Sequence, residues 1–152
     1  MSCEPLDTSL IEERLREAVP ALDKVGGYAD MNAIKDLSGI RPGTAFVVLA
    51  SERSLTQSDG AGQRRVNGRQ QVNAVFGVIT AARNFRDVSG EAALDEVRPL
   101  IGSVREALMG WTPDVTKFKQ IVWVQGDVMD HNSSTLLWID IFSTMHNIGG
   151  QL

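Results

Sequence analysis

The sequence predicts an α+β fold, with a mixed, mainly antiparallel sheet and helices packed on one face. Stretches with apolar residues at every third or fourth position indicate helices, and short β-branched apolar runs indicate strands. Two pairs of predicted strands follow each other along the chain without an intervening helix, which favours antiparallel neighbours. The chain has 152 residues, 43% of them hydrophobic, which is enough for a single domain over 1–152 with its own core.

The first elements are short and are separated by glycine and proline. Residues 8–19 have an amphipathic helical pattern that a Ser-x-x-Glu capping box opens. A strand is predicted at Leu22–Val25, and Gly26-Gly27 should end it. Residues 28–37 are predicted to form a second short helix.

The middle of the chain supplies two strands and the longest helix. Residues 44–50 are a short apolar, β-branched run, typical of a buried strand, and 69–83 form a longer strand that is apolar on both faces in its second half. Residues 91–109 carry the three-four apolar rhythm of a helix that Pro99 should kink or restart, with Gly110 as its C-terminal cap.

A long polar segment separates the two middle strands. Residues 51–68 contain three glycines, show no periodicity and include few apolar residues. Loops of this length are uncommon in compact domains and are usually functional or disordered. We expect 51–68 to be a long flexible loop within the single domain.

The C-terminal part of the chain predicts two further strands, at Phe118–Gly126 and Leu136–Met145, joined by a hairpin loop at Asp127–Ser134. Apolar residues on the inward faces of the predicted elements form the expected core. They are Phe46, Val48, Phe76, Val78, Leu94, Val97, Ile101, Val104, Leu108, Ile139 and Ile141.

Composition and charge exclude several classes of protein. The net charge of −4 argues against a general nucleic-acid binder, and no apolar run is long enough to cross a membrane. The N-terminus has no signal-peptide pattern, and the single cysteine, Cys3, cannot form an internal disulfide. We therefore expect a chain made in a reducing cytoplasm, with no cofactor.

One polar cluster has the residue types of a catalytic or metal site. Asp127, Asp130 and His131 lie close together in sequence, and His146 follows further on. Carboxylates and imidazoles bind metals and exchange protons, but this spacing matches no known ligand pattern, and the residues are equally typical of a solvated hairpin. We expect no metal and no catalytic residue here, and we interpret the chain as a non-enzyme.

Arginine is concentrated in one part of the chain. Residues 51–90 carry six arginines and three acidic residues, a net charge of +3, so the rest of the chain carries −7. A solvated loop, a phosphate site and a contact with an acidic protein surface all fit this pattern. The candidate interface residues are Arg64, Arg65, Arg69, Arg83 and Arg86.

Four stretches in the same order and spacing resemble the tail terminator proteins of long-tailed bacteriophages, those of Mu-like siphophages included. They cover nearly the whole chain. The matching segments are IEERLREAVP and VGG within 11–27, RP and AFVVL within 41–49, QQV, FGV, ARNFRD, ALD and VREALMGWTP within 70–113, and LWIDIF at 137–142.

The resemblance implies a structural virion protein of the phage tail. Such proteins form a ring, usually a hexamer, that caps the tail tube, ends its polymerisation and offers a surface for joining the head. Implied partners are further copies of the chain, the tube protein and a head-completion or connector protein, with the tape-measure protein as a further candidate, and neither a membrane nor a specific nucleic acid. The implied location is the head-proximal end of the tail in the virion, after assembly in the host cytoplasm.

Two alternatives remain at this point. Within the same class, the chain is a neighbouring head–tail connector or a minor tail protein. In a different class, it is a small enzyme or ligand-binding domain that uses the Asp127–His131 segment, because a fold resemblance alone does not determine function.

Overall fold

A computed structural model of the chain describes residues 3–27, 29–30, 40–55, 68–83, 91–132 and 135–149. Within these ranges there are two helices and five strands. They are α1 (Thr8–Ala18), β1 (Lys24–Gly27), β2 (Thr44–Ser54), β3 (Gln70–Arg83), α2 (Glu91–Leu108), β4 (Val122–His131) and β5 (Thr135–Ile148).

The five strands form one sheet in the order β1-β2-β3-β5-β4. The β1 and β2 strands are parallel, and all other neighbours are antiparallel. The predicted α+β class with a mixed, mainly antiparallel sheet is thus confirmed. The central strand, β3, pairs along its whole length with β5, which makes this the longest strand pairing of the described sheet.

The two helices described by the structure pack on the same face of the sheet, called here the helix face. Rings of Phe76 and Phe142 stack at its centre with centroids 5.5 Å apart. Around them, α1 and α2 bury one apolar stripe each, as their three-four periodicity requires. The buried helix residues of this cluster are Ile11, Leu15, Val104, Ala107 and Leu108.

A smaller cluster lies on the opposite face of the sheet. Its buried members are Ile40, Phe46, Ile79, Ala81 and Leu137. The sheet is therefore apolar on both faces near its centre, as the two-sided apolar pattern of residues 69–83 predicted.

Most of the predicted core is buried. Phe46, Phe76, Val78, Val97, Ile101, Val104 and Leu108 are buried, whereas Val48, Ile139 and Ile141 are half-buried. The side chain of Leu94 lies outside the described part of the structure.

The start of the chain differs from the prediction in two details. The N-cap of α1 is Asp7, whose carboxylate accepts from the backbone N–H of Ser9 at 3.0 Å, so the predicted capping box is wrong. In addition, β1 runs through Gly26 and Gly27 instead of ending before them. A Cβ on Gly26 would lie 2.7 Å from Oδ2 of Asp30, so the glycine lets the strand pass this carboxylate.

The predicted loop at 51–68 is wrong over its first four residues, because β2 continues to Ser54. Among the described residues, β1 pairs with β2 only as far as Val47, and beyond it β2 borders the sheet. A border strand tolerates polar side chains, which explains why this part of β2 lacks an apolar pattern. Residues 56–67 lie outside the described residues, as does most of the helix predicted at 28–37.

The boundaries of the last hairpin are also corrected. The β4 strand begins at Val122 and continues to His131, so the predicted hairpin loop at Asp127–Ser134 is mostly strand. Phe118 makes only an isolated bridge to His146. The polar residues of β4 misled the sequence interpretation because β4 is the outermost strand, where both of its faces are accessible to solvent.

Helix α2 runs from Glu91 to Leu108 with Pro99 inside it, so the proline does not restart the helix. Gly110 follows with a φ of +82°, the left-handed conformation expected of a C-terminal glycine cap. Its backbone N–H donates to the carbonyl oxygen of Ile121 at 2.9 Å. This hydrogen bond holds the end of α2 next to the residue that precedes β4.

Candidate functional site

The structure does not bring the candidate arginines together. Arg69 immediately precedes β3 and Arg83 ends it. Fourteen extended residues span about 45 Å, so these two side chains lie at opposite ends of the sheet. Arg69 lines an open surface cavity of about 360 Å³ together with Lys117. Arg64, Arg65 and Arg86 lie outside the described residues.

The four candidate metal or acid–base residues are also separated. Asp127, Asp130 and His131 are exposed on β4, whereas His146 is buried on β5. Asp127 lies opposite Ile139, seven residues and about 23 Å along the strand from His146. Within the described ranges, no three or more side chains of the metal-binding types come together.

His146 has a structural partner instead. Its Nε2 lies 3.0 Å from Oε2 of Glu52, and its ring stacks on Phe118 at 4.7 Å. The same carboxylate oxygen of Glu52 accepts from the backbone N–H of Leu6 at 2.8 Å. Glu52 therefore fixes the N-terminal segment and β5 to β2.

The most exposed apolar surface of the described chain is the outer strand, β4. We define the β4 edge by its exposed side chains, which are Val122, Val124, Asp127, Val128, Met129 and Asp130. Exposed large apolar side chains on the outermost strand of a sheet, which is paired on one side, are typical of a surface that contacts another protein. The β4 edge is therefore the candidate functional surface.

Two bulges shape this edge. The register between β4 and β5 shifts at Val124 and again at Met129, so neither of these residues has a partner on β5. Bulges bend a strand and interrupt its row of backbone hydrogen-bonding groups. They restrict indiscriminate strand addition while leaving the side chains accessible.

A buried ion pair holds β4 and α2 to the sheet. The Arg105 guanidinium on α2 donates to Oδ1 of Asp140 at 2.9 Å, and Asp140, on β5, is only 2% exposed. Trp123 on β4 donates its indole N–H to the same oxygen at 3.0 Å. The guanidinium also lies over the Trp123 ring, 4.8 Å from its centroid. One carboxylate thus joins three elements directly beneath the β4 edge.

Gly126 completes this cluster. A Cβ at Gly126 would lie 2.6 Å from Oδ1 of Asp140, 2.7 Å from Trp138 Cζ2 and 2.8 Å from Nη2 of Arg105. Real Cβ atoms do not approach other atoms so closely, so only glycine allows β4 to lie against the ion pair. The indole Nε1 of Trp138 is buried with no hydrogen-bond partner among the described residues.

Sequence reasoning missed Arg105, Asp140 and Gly126. A signal for Asp140 was present, because it is the one charged residue in the apolar strand LLWIDIF, and a carboxylate buried there needs a cation. Nothing in the spacing identified Arg105 as that cation, since it lies 35 residues earlier on a helix. The need for Gly126 follows only from the packing.

The buried polar groups of this part of the chain thus have structural roles. Asp140 and His146 each bind a partner within the chain, and the carboxylates of Asp127 and Asp130 lie on an open strand. None of the described helices is long and apolar enough to cross a membrane.

The family model described as phage tail terminator protein matches residues 1–151. The chain therefore belongs to the phage tail terminator family, as its sequence resemblance predicted. It is a structural protein of a phage tail, and the family is one of structural virion proteins. No curated protein matches the chain.

Proposed function

We propose that this protein forms a ring that caps the phage tail tube, ends its polymerisation and provides the surface to which the head joins. The observation that carries the proposal is the family match over residues 1–151, which spans nearly the whole chain. A hexamer is the proposed ring. The tube protein and a head-completion or connector protein are the proposed partners, with the tape-measure protein as a further candidate, and the head-proximal end of the tail in the virion is the proposed location.

The surface of the subunit supports a role in assembly. The β4 edge offers exposed apolar side chains, and charge is spread unevenly along the chain. A ring of identical subunits needs a contact in which two different surfaces of the subunit meet. The uneven distribution of apolar and charged residues gives the subunit surfaces that differ. The segment with the candidate arginines, Arg83 among them, is our proposed source of further contacts with a neighbour or the tube.

A structural role also fits the geometry better than an enzyme built on Asp127–His131. These residues lie on an exposed outer strand, and the carboxylate of Asp127 accepts from the amide of its neighbour Gln125 at 2.8 Å. A general acid or base needs a substrate held within hydrogen-bond reach, usually in a concave site. An open strand provides no such enclosure.

The proposed function is tested in the phage that carries this gene. Deletion of the gene should give tails of uncontrolled length without heads, and the intact gene supplied in trans should restore tails of one length. Tail lengths are measured by negative-stain electron microscopy. Tails of normal length that still lack heads would instead favour a connector, and intact particles would contradict a role in assembly.

The arginines are tested in the same complementation assay. We expect an Arg83→Glu, Arg86→Glu variant to fold normally but to give long, uncapped tails. The matched control is Arg98→Glu, on an exposed position of α2, which should complement like the parent. Full complementation by the double variant would exclude these two arginines from the contacts.

A further inference from the structure

Helix α2 has a weak point in its middle. Pro99 lies inside the helix and has no backbone N–H, so the carbonyl of Asp95, one turn earlier, lacks its usual donor. Gly102 lowers helix stability, and a Cβ there would meet nothing within 4 Å, so packing does not require this glycine. The hydroxyl of Ser103 donates to the carbonyl oxygen of Pro99 at 3.1 Å, a bond typical of bent helices. Residues 99–103 are therefore where the helix bends most easily.

Polar contacts tie one end of α2 to the rest of the domain. Residues 104–108 are called here the C-terminal part of α2. Within it, Arg105 binds the buried carboxylate of Asp140 on β5 at 2.9 Å. From α1, Nε of Arg14 donates to the carbonyl oxygen of Ala107 at 2.9 Å. These two contacts fix the C-terminal part to the sheet and to α1.

The other end of α2, residues 91–98, is called here the N-terminal part. Among its described side chains, Asp95 and Arg98 bind only each other, at 3.7 Å, and both are more than 70% exposed. Val97 is the one described side chain of this part that is buried. It packs in a small cluster separate from that of the C-terminal part. The other buried members of this small cluster are Ala82, Ile101 and Leu136.

An open cavity of about 320 Å³ lies between the weak point of α2 and the end of the sheet. The helix contributes Pro99, Leu100 and Ser103 to its wall, and β3 contributes Ala82 and Arg83. Close-packed protein interiors resist movement, because a shift opens voids or makes atoms overlap. The cavity removes this resistance on one side, so the N-terminal part has room to move towards the sheet.

We propose that α2 is hinged at residues 99–103, and that its N-terminal part moves as an intact helix while its C-terminal part stays fixed to the sheet. Bending is concentrated where the helix lacks a hydrogen bond, and separate packing lets one end move without disturbing the other. Arg83, one of the proposed contact residues, lines the cavity at the hinge. The movement adjusts the surface beside Arg83 when the subunit enters the ring, a use that rests on the proposed function.

Thiol labelling of two buried positions tests the hinge on the isolated subunit. Val97→Cys places a thiol in the N-terminal part and Val104→Cys places one in the C-terminal part, and both valines are at most 1% exposed. Each variant also carries Cys3→Ser, because Cys3 is exposed. Global unfolding exposes both thiols equally, whereas the hinge exposes only the first. With rates normalised to the urea-unfolded variants, Val97→Cys should react at least a hundredfold faster than Val104→Cys.

A second substitution should lock the hinge. Pro99→Ala with Gly102→Ala restores the missing N–H and adds a residue that favours helix. The ratio of the two labelling rates should then fall at least tenfold. Glu106→Ala, at an exposed position of the C-terminal part, is the matched control and should leave the ratio unchanged. Urea denaturation of each variant establishes that the subunit is folded.

Amide exchange shows whether the moving part stays helical. A hinge movement preserves the hydrogen bonds within the N-terminal part. The opening that exposes the amides of Val97 and Arg98 should therefore be at least tenfold rarer than the opening that exposes the Val97→Cys thiol. Equal openings would mean that this part unwinds, which would overturn the hinge. Equal labelling of the two cysteines, or a ratio that the lock does not change, would overturn it as well.

Complementation of the gene deletion tests the use of the hinge in the ring. The locked variant should complete at least tenfold fewer particles than the parent, whereas Glu106→Ala should match the parent. Full complementation by the locked variant would overturn the use of the hinge in assembly. Intact particles formed without the gene would overturn the proposed function instead, and the labelling result on the isolated subunit would still decide whether the hinge exists.

Discussion

The side chains of Arg105 and Asp140 form an ion pair that joins α2 to β5, with Nη2 of the arginine 2.9 Å from Oδ1 of the aspartate. The carboxylate is almost fully buried, while a third of the arginine side chain reaches solvent. The pair lies beneath the outer strand and also receives the indole N–H of Trp123. The position of β4 therefore depends on this ion pair, to which Trp123 is bound.

Replacing Arg105 with Met should destabilise the fold by about 3 kcal/mol, because it leaves the buried Asp140 carboxylate without its cation. The control is Arg98→Met on the same helix, where an exposed pair with Asp95 at 3.7 Å should contribute less than about 1 kcal/mol. Urea denaturation of both variants measures the difference. If Arg105→Met and Arg98→Met lowered the free energy of unfolding by the same amount, the buried pair would not be what holds α2 to the sheet.

Replacing Gly126 with Ala should destabilise the fold by about 1–3 kcal/mol, because the new methyl group overlaps Asp140, Trp138 and Arg105. The matched variant is Gly102→Ala on α2, where a Cβ meets nothing within 4 Å. There the change should stabilise the helix by about 0.5–1 kcal/mol. Thermal melting of both proteins checks the opposite signs, and a neutral Gly126→Ala would refute the close packing.

Removing the Glu52 carboxylate should release the N-terminal segment. Glu52→Ala deletes the acceptor of the Leu6 N–H and the partner of His146, at a cost of about 1–3 kcal/mol. Hydrogen exchange should become faster at the Leu6 amide in particular. Glu13→Ala on α1 is the control, because Glu13 is exposed. Unchanged exchange at Leu6 would mean that this hydrogen bond does not fix the segment.

The turn before β4 should depend on pH through Asp114. The hydroxyl of Thr116 donates to Oδ1 of Asp114 at 2.6 Å, and this hydrogen bond, aided by the Thr116 backbone N–H, lowers the pKa of the carboxyl. A lowered pKa in the fold means that ionised Asp114 stabilises the turn above the ordinary aspartate pKa. That contribution is lost as the pH falls through the lowered value.

Thr116→Val should therefore raise the pKa of Asp114 towards the ordinary value. The change is measured by following the Asp114 carboxyl carbon by NMR during an acid titration. An Asp114 pKa unaffected by the substitution would contradict the role of the Thr116 hydroxyl.

The sequence predicted the elements better than it predicted their ends. The apolar runs within β3 and β5 and the three-four rhythm of α2 fall where the structure has these elements, because buried faces impose their period on the sequence. The strands predicted at the borders are shorter than those observed, because the second half of β2 and most of β4 face solvent and carry polar residues. A periodic pattern of apolar residues indicates a buried face, so this pattern is weak in a strand at the border of the sheet.

The sequence predicts the candidate functional surface less well than it predicts the fold. The sequence predicts a loop for Asp127 and Asp130, and only the pairing of β4 with β5 shows that they lie on an outer strand with Val128.

The proposed capping of the tail tube by this protein is tested on tubes growing from purified tube protein. Sub-stoichiometric amounts of this protein are added, and tube lengths are followed over time by electron microscopy. If the protein caps the tube, elongation should stop and one ring should be visible at one end of each tube. Tubes that continue to grow at the same rate, with no density at either end, would contradict it.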